Sequence, residues 1–347
     1  MRRVLFLFLT LLTAGLPLAT AMSQATPPQS REALALPSLG VRTLRLEDPS
    51  RKRPVLVEVW YPTDASAPID SPQGSIWVHP EERRDAPLPS PQTKRPLILI
   101  SHGHGGERRE STWLAEALVK QGFLVAAIEH HGSSLRTFDP LTTVRFWERS
   151  KDVSFVLDQL LQTDWVQARV DPKRIGLVGY SLGGMTGLHV GGARARGLKQ
   201  FCLAHRAELE SHVGPVALED IDFSEGEAAY RDPRIRALLL VFPATFVFST
   251  EALQNIQIPV GLIASTDDEV LNHLHHSFRL IQSKVPAKLK ILRDRKVSHY
   301  AYLNRVAEKA KAHVPAPVAN DPPSYRRSEI HAEMAEFARE FFSENLN

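Results

Sequence analysis

Six short apolar runs recur through this 347-residue chain, at residues 97–100, 124–128, 175–178, 237–241, 260–264 and 289–292. Their continuous hydrophobicity, without strict alternation, marks strands buried on both faces. Between them, residues 113–120, 153–161, 185–189 and 270–281 place apolar side chains at helical spacing. Strands alternating with helices predict an α/β fold, with a mostly parallel central sheet and helices on both faces. A hydrophobic content of 43% is enough for one large core. Ligands of such sheets sit beyond the carboxyl ends of the strands, so the residues just past each run carry the functional information.

The flanking segments complete the plan. Residues 41–46 and 55–60 alternate apolar and polar side chains around the turn formers Asp48-Pro49-Ser50, which predicts an N-terminal antiparallel hairpin. Residues 63–96 are rich in proline and read as one long surface loop. Residues 194–231 lack a sheet-type run and are expected to form a small cap insertion over the strand ends. Ile330, Met334, Phe337 and Phe341 give residues 328–342 the spacing of a closing helix. Met1-Arg2-Arg3, the apolar run 4–12 and Ala19-Thr20-Ala21 form an export signal over residues 1–21, cleaved near Ala21. A disordered Pro/Ser/Gln/Ala-rich leader at 22–37 and a single domain at 38–347 complete the chain.

Signal cleavage predicts a periplasmic or secreted protein with no stable membrane span. The formal charge of +3, two of it from Arg2 and Arg3, argues against nucleic acid as a partner. Cys202 is the only cysteine, so no intramolecular disulfide can form, and its neighbours Phe201 and Leu203 favour a buried thiol.

Three strand ends carry chemistry. Gly179-Tyr180-Ser181-Leu182-Gly183 follows the run 175–178 and precedes a helical segment, the context of a nucleophile elbow. Ser101-His102-Gly103-His104-Gly105-Gly106 follows the run 97–100 and can present bare backbone N–H groups to an oxyanion, for which the amides of His104 and Leu182 are the expected donors. Ser265-Thr266-Asp267-Asp268-Glu269 follows the run 260–264; either aspartate can orient a histidine, while capping the next helix is the alternative role. His299 lies beyond the last run and completes the chain order Ser, Asp, His. A metal site at His102 and His104 lacks further closely spaced ligands, and His273, His275 and His276 read as a half-exposed helix face; no metal is expected.

These motifs, with Trp113-Leu114-Ala115 and Gly122-Phe123-Leu124-Val125-Ala126-Ala127-Ile128-Glu129-His130, resemble the bacterial relatives of platelet-activating-factor acetylhydrolase, a dienelactone-hydrolase-like group. The similarity runs from about Val41 to Tyr300. The resemblance implies an α/β-hydrolase fold, no cofactor, and hydrolysis of carboxylic esters on small-molecule or lipid substrates. It implies Ser181 as nucleophile, His299 as base, and Asp268 rather than Asp267 as the acid, since the bacterial relatives carry an acid-x-Val pattern matched by Asp268-Glu269-Val270. Serine in the elbow speaks against dienelactone hydrolysis itself, which uses cysteine. A serine esterase with an acyl-enzyme is therefore the leading expectation. A non-catalytic exported binding protein is the alternative, and a serine peptidase ranks lower.

Overall fold

The computed structural model describes residues 38–64, 67–69, 74–90 and 93–346. The signal and leader readings for residues 1–37 lie outside them. Nine strands form one sheet: β1 (Ser38–Asp48), β2 (Arg53–Thr63), β3 (Glu82–Arg84), β4 (Arg95–Ser101), β5 (Leu124–Glu129), β6 (Val170–Tyr180), β7 (Ile235–Val241), β8 (Val260–Ser265) and β9 (Ala287–Leu292). Their spatial order is β3-β1-β2-β5-β4-β6-β7-β8-β9. The hairpin β1–β2 is antiparallel and β2 joins β5 antiparallel, whereas β5, β4, β6, β7, β8 and β9 run parallel.

Continuous apolar runs follow from burial on both faces. On β4, Leu97 and Leu99 join a core that contains Val153, Val156 and Leu157 of the helix Trp147–Gln162 and Leu188 of the helix Leu182–Gly191. Ile98 and Ile100 point the other way, into a core with Leu114 and Leu118 of the helix Thr112–Lys120 and Phe341 and Phe342 of the closing helix Arg327–Asn345. The chain leaves β4 on one face to reach β5, and arrives at β6 from the opposite face. Strand order therefore reverses at β4 and β6, whose ends are paired Ser101 to Gly179. That crevice is where an open α/β sheet receives a ligand.

Two expectations are overturned. The proline-rich stretch 63–96 is not simply a loop, because it carries β3, parallel to β1, and Trp77 bridges to Val306. Glu82 of β3 is fully buried, accepting Trp60 Nε1–H at 2.9 Å and Arg109 at 2.6 Å. A strand held by a charge leaves no hydrophobic pattern to find. The helix expected across 270–281 is shortened to Ser277–Gln282. Asp268 Oδ1 accepts the Val270 and Leu271 N–H groups at 3.0 and 2.7 Å, and Asn272 Oδ1 takes Leu274 N–H at 2.9 Å. Side chains here bind the backbone and displace a helical turn. His276 consequently lies off any helix face, its Nδ1 accepting the Thr245 N–H at 3.2 Å.

Residues 194–231 fold into the short helices Leu198–Ala204, Arg206–Val213 and Phe223–Gly226 with a 3₁₀ turn at Leu218–Asp220. Leu198, Val213, Leu218 and Phe223 anchor them in the first core. Phe201 stacks on Phe246, beyond β7, at 5.9 Å. Cys202 is buried, and burial pushes its thiol up to about 11, which keeps it protonated.

Buried charges pin the hairpin side of the sheet to the loop after β4. Glu58 on β2 is fully buried and meets Arg84 (3.0 Å), Arg108 (2.9 Å) and Arg109 (3.1 Å). Burial pushes its carboxyl up, but Arg109, Arg108 and Arg84 together hold it below the ordinary range. A depressed carboxylate stabilises the fold above its unfolded pKa and loses that contribution as pH falls through the folded value. Glu58→Ala removes the buried carboxylate shared by three guanidinium groups, leaves excess positive charge there, and is expected to cost about 3–5 kcal/mol by urea unfolding at pH 7. The exposed Glu81→Ala control should stay within about 0.5 kcal/mol.

Candidate active site

Ser181 stands at the turn from β6 into the helix Leu182–Gly191, with φ 54° and ψ −116°. Few non-glycine residues occupy that left-handed region, so the surroundings must hold it there. Two backbone bonds do so across to the next strand: Ser181 N–H donates to Val241 O and Ala244 N–H donates to Ser181 O, each at 3.0 Å. The flanking glycines permit the approach. A Cβ on Gly179 would come 2.3 Å from Gly183 O, and one on Gly183 would come 2.0 Å from Ser101 O. No side chain fits at either position.

His299 opens a 3₁₀ turn (His299–Tyr302) capped by Ser298 Oγ, which accepts the Tyr300 N–H at 3.2 Å. Its Nε2 lies 3.0 Å from Ser181 Oγ and its Nδ1 lies 2.8 Å from Asp268 Oδ2. The carboxylate can only accept, so Nδ1 carries the proton and Nε2 offers its lone pair to the serine hydroxyl. Asp268 divides its oxygens: Oδ2 serves the imidazole, while Oδ1 closes the turn of Val270 and Leu271. Capping and orienting, which the sequence left as alternatives, thus fall to one residue. Asp267 is exposed; its backbone N–H donates to Ser265 Oγ at 3.1 Å, and its carboxylate accepts from Thr266 at 3.0 Å and from no other residue among those described. The β8 and β9 loops are tied together, since Ser265 Oγ donates to Val297 O at 2.5 Å and Thr266 N–H to Leu292 O at 3.1 Å.

The loop after β4 passes against the serine: a Cβ on Gly103 would lie 3.3 Å from Ser181 Cβ. Among the described residues, neither the His104 N–H nor the Leu182 N–H donates to a protein acceptor. A tetrahedral oxyanion on Ser181 would find those amides free. His102 plays another part. Its Nε2 accepts the His130 N–H at 3.1 Å and its Nδ1 reaches Gly103 O at 2.7 Å, so it is a buried brace rather than a ligand. No cluster of three or more metal-ligating side chains occurs among the described residues.

Several residues at this site escaped the sequence reading. Tyr180 packs between Tyr302 (4.3 Å) and His299 (5.2 Å) and donates its hydroxyl to His299 O at 3.1 Å. Glu269 accepts the His299 N–H at 3.0 Å and the Ser298 hydroxyl at 2.5 Å. Three phenylalanines follow β7, namely Phe242, Phe246 and Phe248, and the structure places them differently. Phe242 is buried against the His299 ring at 5.8 Å, Phe248 is buried beside His189, and Phe246 alone stays well exposed.

A second Ser-His-Asp array lies deeper. Ser101 Oγ is 2.9 Å from His130 Nε2, and His130 Nδ1 is 3.0 Å from Asp152 Oδ2. All three are 0% exposed, and Arg149 donates to Ser101 Oγ at 3.3 Å. Burial lowers His130 to about 3, and the positive charge of Arg149 works in the same direction. A base so disfavoured from protonation, on a serine no substrate can reach, is structural. Access, not the three-atom geometry, separates the two arrays.

A family model described as platelet-activating factor acetylhydrolase, isoform II, matches residues 78–143, which include β4, the glycine-rich loop and β5. No curated protein matches the chain. Among solved structures, a ferulic acid esterase from Streptomyces cinnamoneus superposes with a TM-score of 0.59 at 22% identity, covering 90% of this chain and 91% of that one. Asp268→Asn is expected to lower kcat on an activated ester by about 10³-fold or more, through loss of the imidazole's tautomer. Asp267→Asn should leave it within about twofold, and steady-state kinetics of the two variants separates the neighbours. The sheet order and the superposition show the α/β-hydrolase fold, and within it residues 78–143 are similar to the platelet-activating factor acetylhydrolase, isoform II, family.

Proposed function

We propose that the protein is a serine hydrolase that cleaves carboxylic esters through an acyl-enzyme. The observation that carries this reading is the continuous relay from Asp268 Oδ2 through His299 to Ser181 Oγ, at 2.8 and 3.0 Å, on the left-handed elbow. Ser181 Oγ attacks the ester carbonyl as His299 Nε2 takes its proton. Asp268 stabilises the imidazolium so formed. The oxyanion faces the amides of His104 and Leu182, each worth about 3 kcal/mol in the transition state by analogy with measured oxyanion donors. His299 returns the proton to the leaving alcohol and then activates the water that releases the acid.

The substrate carries an apolar group. Leu135 and Phe138 follow β5, Phe246 follows β7 and Leu274 follows β8, and all four are exposed on the side of the sheet where Ser181 lies. Phe138 meets the His104 ring edge-on at 5.3 Å, so part of this apolar surface adjoins the proposed oxyanion site. Esters of apolar acids or alcohols, lipids among them, suit that rim better than charged ones. The export signal read at residues 1–21 supports a periplasmic or extracellular setting for such an activity.

Ser181→Ala is expected to abolish turnover of p-nitrophenyl esters and labelling by a fluorophosphonate, while thermal unfolding stays cooperative. Turnover equal to that of the unaltered protein would remove the proposal. Within a graded series of acyl chains, and with feruloyl and short-chain phospholipid esters beside them, kcat/KM should rise with apolar surface.

A further inference from the structure

Two buried titratable side chains, unused by the acyl-transfer steps, flank the glycine-rich loop after β4. Glu110 is 3% exposed, with Oε1 accepting the Gly103 N–H at 3.3 Å and Oε2 accepting the Glu107 N–H at 3.1 Å. Those amides lie at the two ends of the turn that contains His104. The carboxylate fills the hollow beneath it, since a Cβ on Gly106 would fall 2.2 Å from Glu110 Oε2. Asn304 fixes the same segment from behind: its N–H donates to Glu110 O at 2.6 Å and its amide to Arg109 O at 2.8 Å.

Arg149 approaches from the other core. It is fully buried on the helix Trp147–Gln162, and donates to His102 O, to Ser101 Oγ at 3.3 Å, to Ser133 Oγ at 2.8 Å and to Thr186 Oγ1 at 3.1 Å. Thr186 belongs to the helix that Ser181 opens. The guanidinium therefore joins the two halves of the oxyanion site, the loop after β4 and the helix after β6.

We propose that Glu110 and Arg149 are positioning residues for acyl transfer, clamping residues 102–107 from opposite sides so that the His104 N–H stays aimed at the oxyanion formed on Ser181. The inference rests on the ester-hydrolase reading of the Ser181 site. With the Gly103 and Glu107 amides held by one carboxyl group and the His102 carbonyl by the guanidinium, the peptide between them has little freedom to turn.

Such a clamp is costly to the fold. Burial pushes the Glu110 carboxyl up to about 8, Glu107 adds repulsion, and the Glu107 and Gly103 amides with Arg149 pull it partly back. Tyr180 and Tyr302, which also face it, are pushed upward by burial and stay neutral. The folded pKa thus exceeds the ordinary 4.5, so folded protein keeps a proton that the unfolded chain has lost between those values. Stability falls as pH rises through that window, while the doubly accepting carboxylate forms.

The test is Glu110→Gln in the full chain, assayed at pH 9 with a p-nitrophenyl ester and with the trifluoromethyl ketone of the same acyl group, which forms a hemiketal oxyanion. Expected are a kcat lower by about tenfold or more, a ketone Ki raised by the same factor, and a KM within about twofold. The unfolding temperature at pH 9 should equal or exceed that of the unaltered protein, and the rise of kcat through pH 8 should flatten. Unchanged kcat and Ki overturn the clamp; so does lost activity with an unchanged Ki and a lower unfolding temperature, which would make Glu110 a prop of the fold alone. Should this variant not fold, Gly106→Ala displaces the carboxylate without removing it and is expected to raise Ki and lower kcat together; a normal Ki there is equally fatal. Unaltered protein that neither hydrolyses the ester nor takes a fluorophosphonate label would overturn the hydrolase reading itself, and this inference with it.

Discussion

The left-handed backbone of Ser181 is the constraint on which the site depends. An L-residue at φ 54° is unfavourable by roughly 1–3 kcal/mol and persists only where its neighbours leave no alternative. Here the alternatives are closed by Val241 and Ala244, which hydrogen-bond the serine's own N–H and C=O, and by Gly179 and Gly183, which let β6, the helix and the end of β4 come into contact. The strain lifts Oγ out of the sheet toward His299. It also opens the Leu182 amide at the helix start, where the helix's unpartnered N–H groups favour developing negative charge. One turn thus presents both the Ser181 hydroxyl and the Leu182 amide to which the proposed mechanism gives the roles of nucleophile and oxyanion donor.

Two Ser-His-Asp arrays within one fold show why three matching side chains do not make an active centre. Ser101, His130 and Asp152 align as closely as Ser181, His299 and Asp268. The first set ends inside the protein against a guanidinium, where a second positive charge on imidazole is doubly unfavourable. The second set ends at the carboxyl edge of the sheet, beside the His104 and Leu182 amides, which have no protein acceptor among the described residues. What differs is the environment in which charge has to develop.

Buried charge recurs as the framework around this edge. Glu58 and Glu82 gather Arg84, Arg108 and Arg109, which fastens β3 and the hairpin to the segment following the glycine-rich loop. Asp152 draws in Arg53 at 2.7 and 2.9 Å, and its neighbour Arg149 reaches both strand-end loops. Paired ions of this kind add little net stability but fix geometry, because each alternative arrangement strands a charge in low dielectric. The apolar layers set where the strands lie; the ions set how the loops leave them.

The parallel strands β4 to β9 were legible as apolar runs, for β4 to β8 because a strand covered on both faces must be apolar throughout. Ser181 and His299 were legible too, as the serine of a glycine-flanked turn and the histidine beyond the last strand. The residues alone left Asp267 and Asp268 open, the resemblance favoured Asp268, and the path of the β8 loop is what brings the Asp268 carboxylate to the imidazole. The strand β3 and the roles of Glu110 and Arg149 were not visible, for in a sequence a charged residue looks like surface, and whether it is buried depends on partners far along the chain. Local chemistry and periodicity therefore fixed the strands and singled out Ser181 in advance, whereas long-range pairing, which no periodicity encodes, decided which carboxylate meets His299, which charges are buried around the loop after β4, and which of the two Ser-His-Asp arrays lies at the sheet edge and which is sealed.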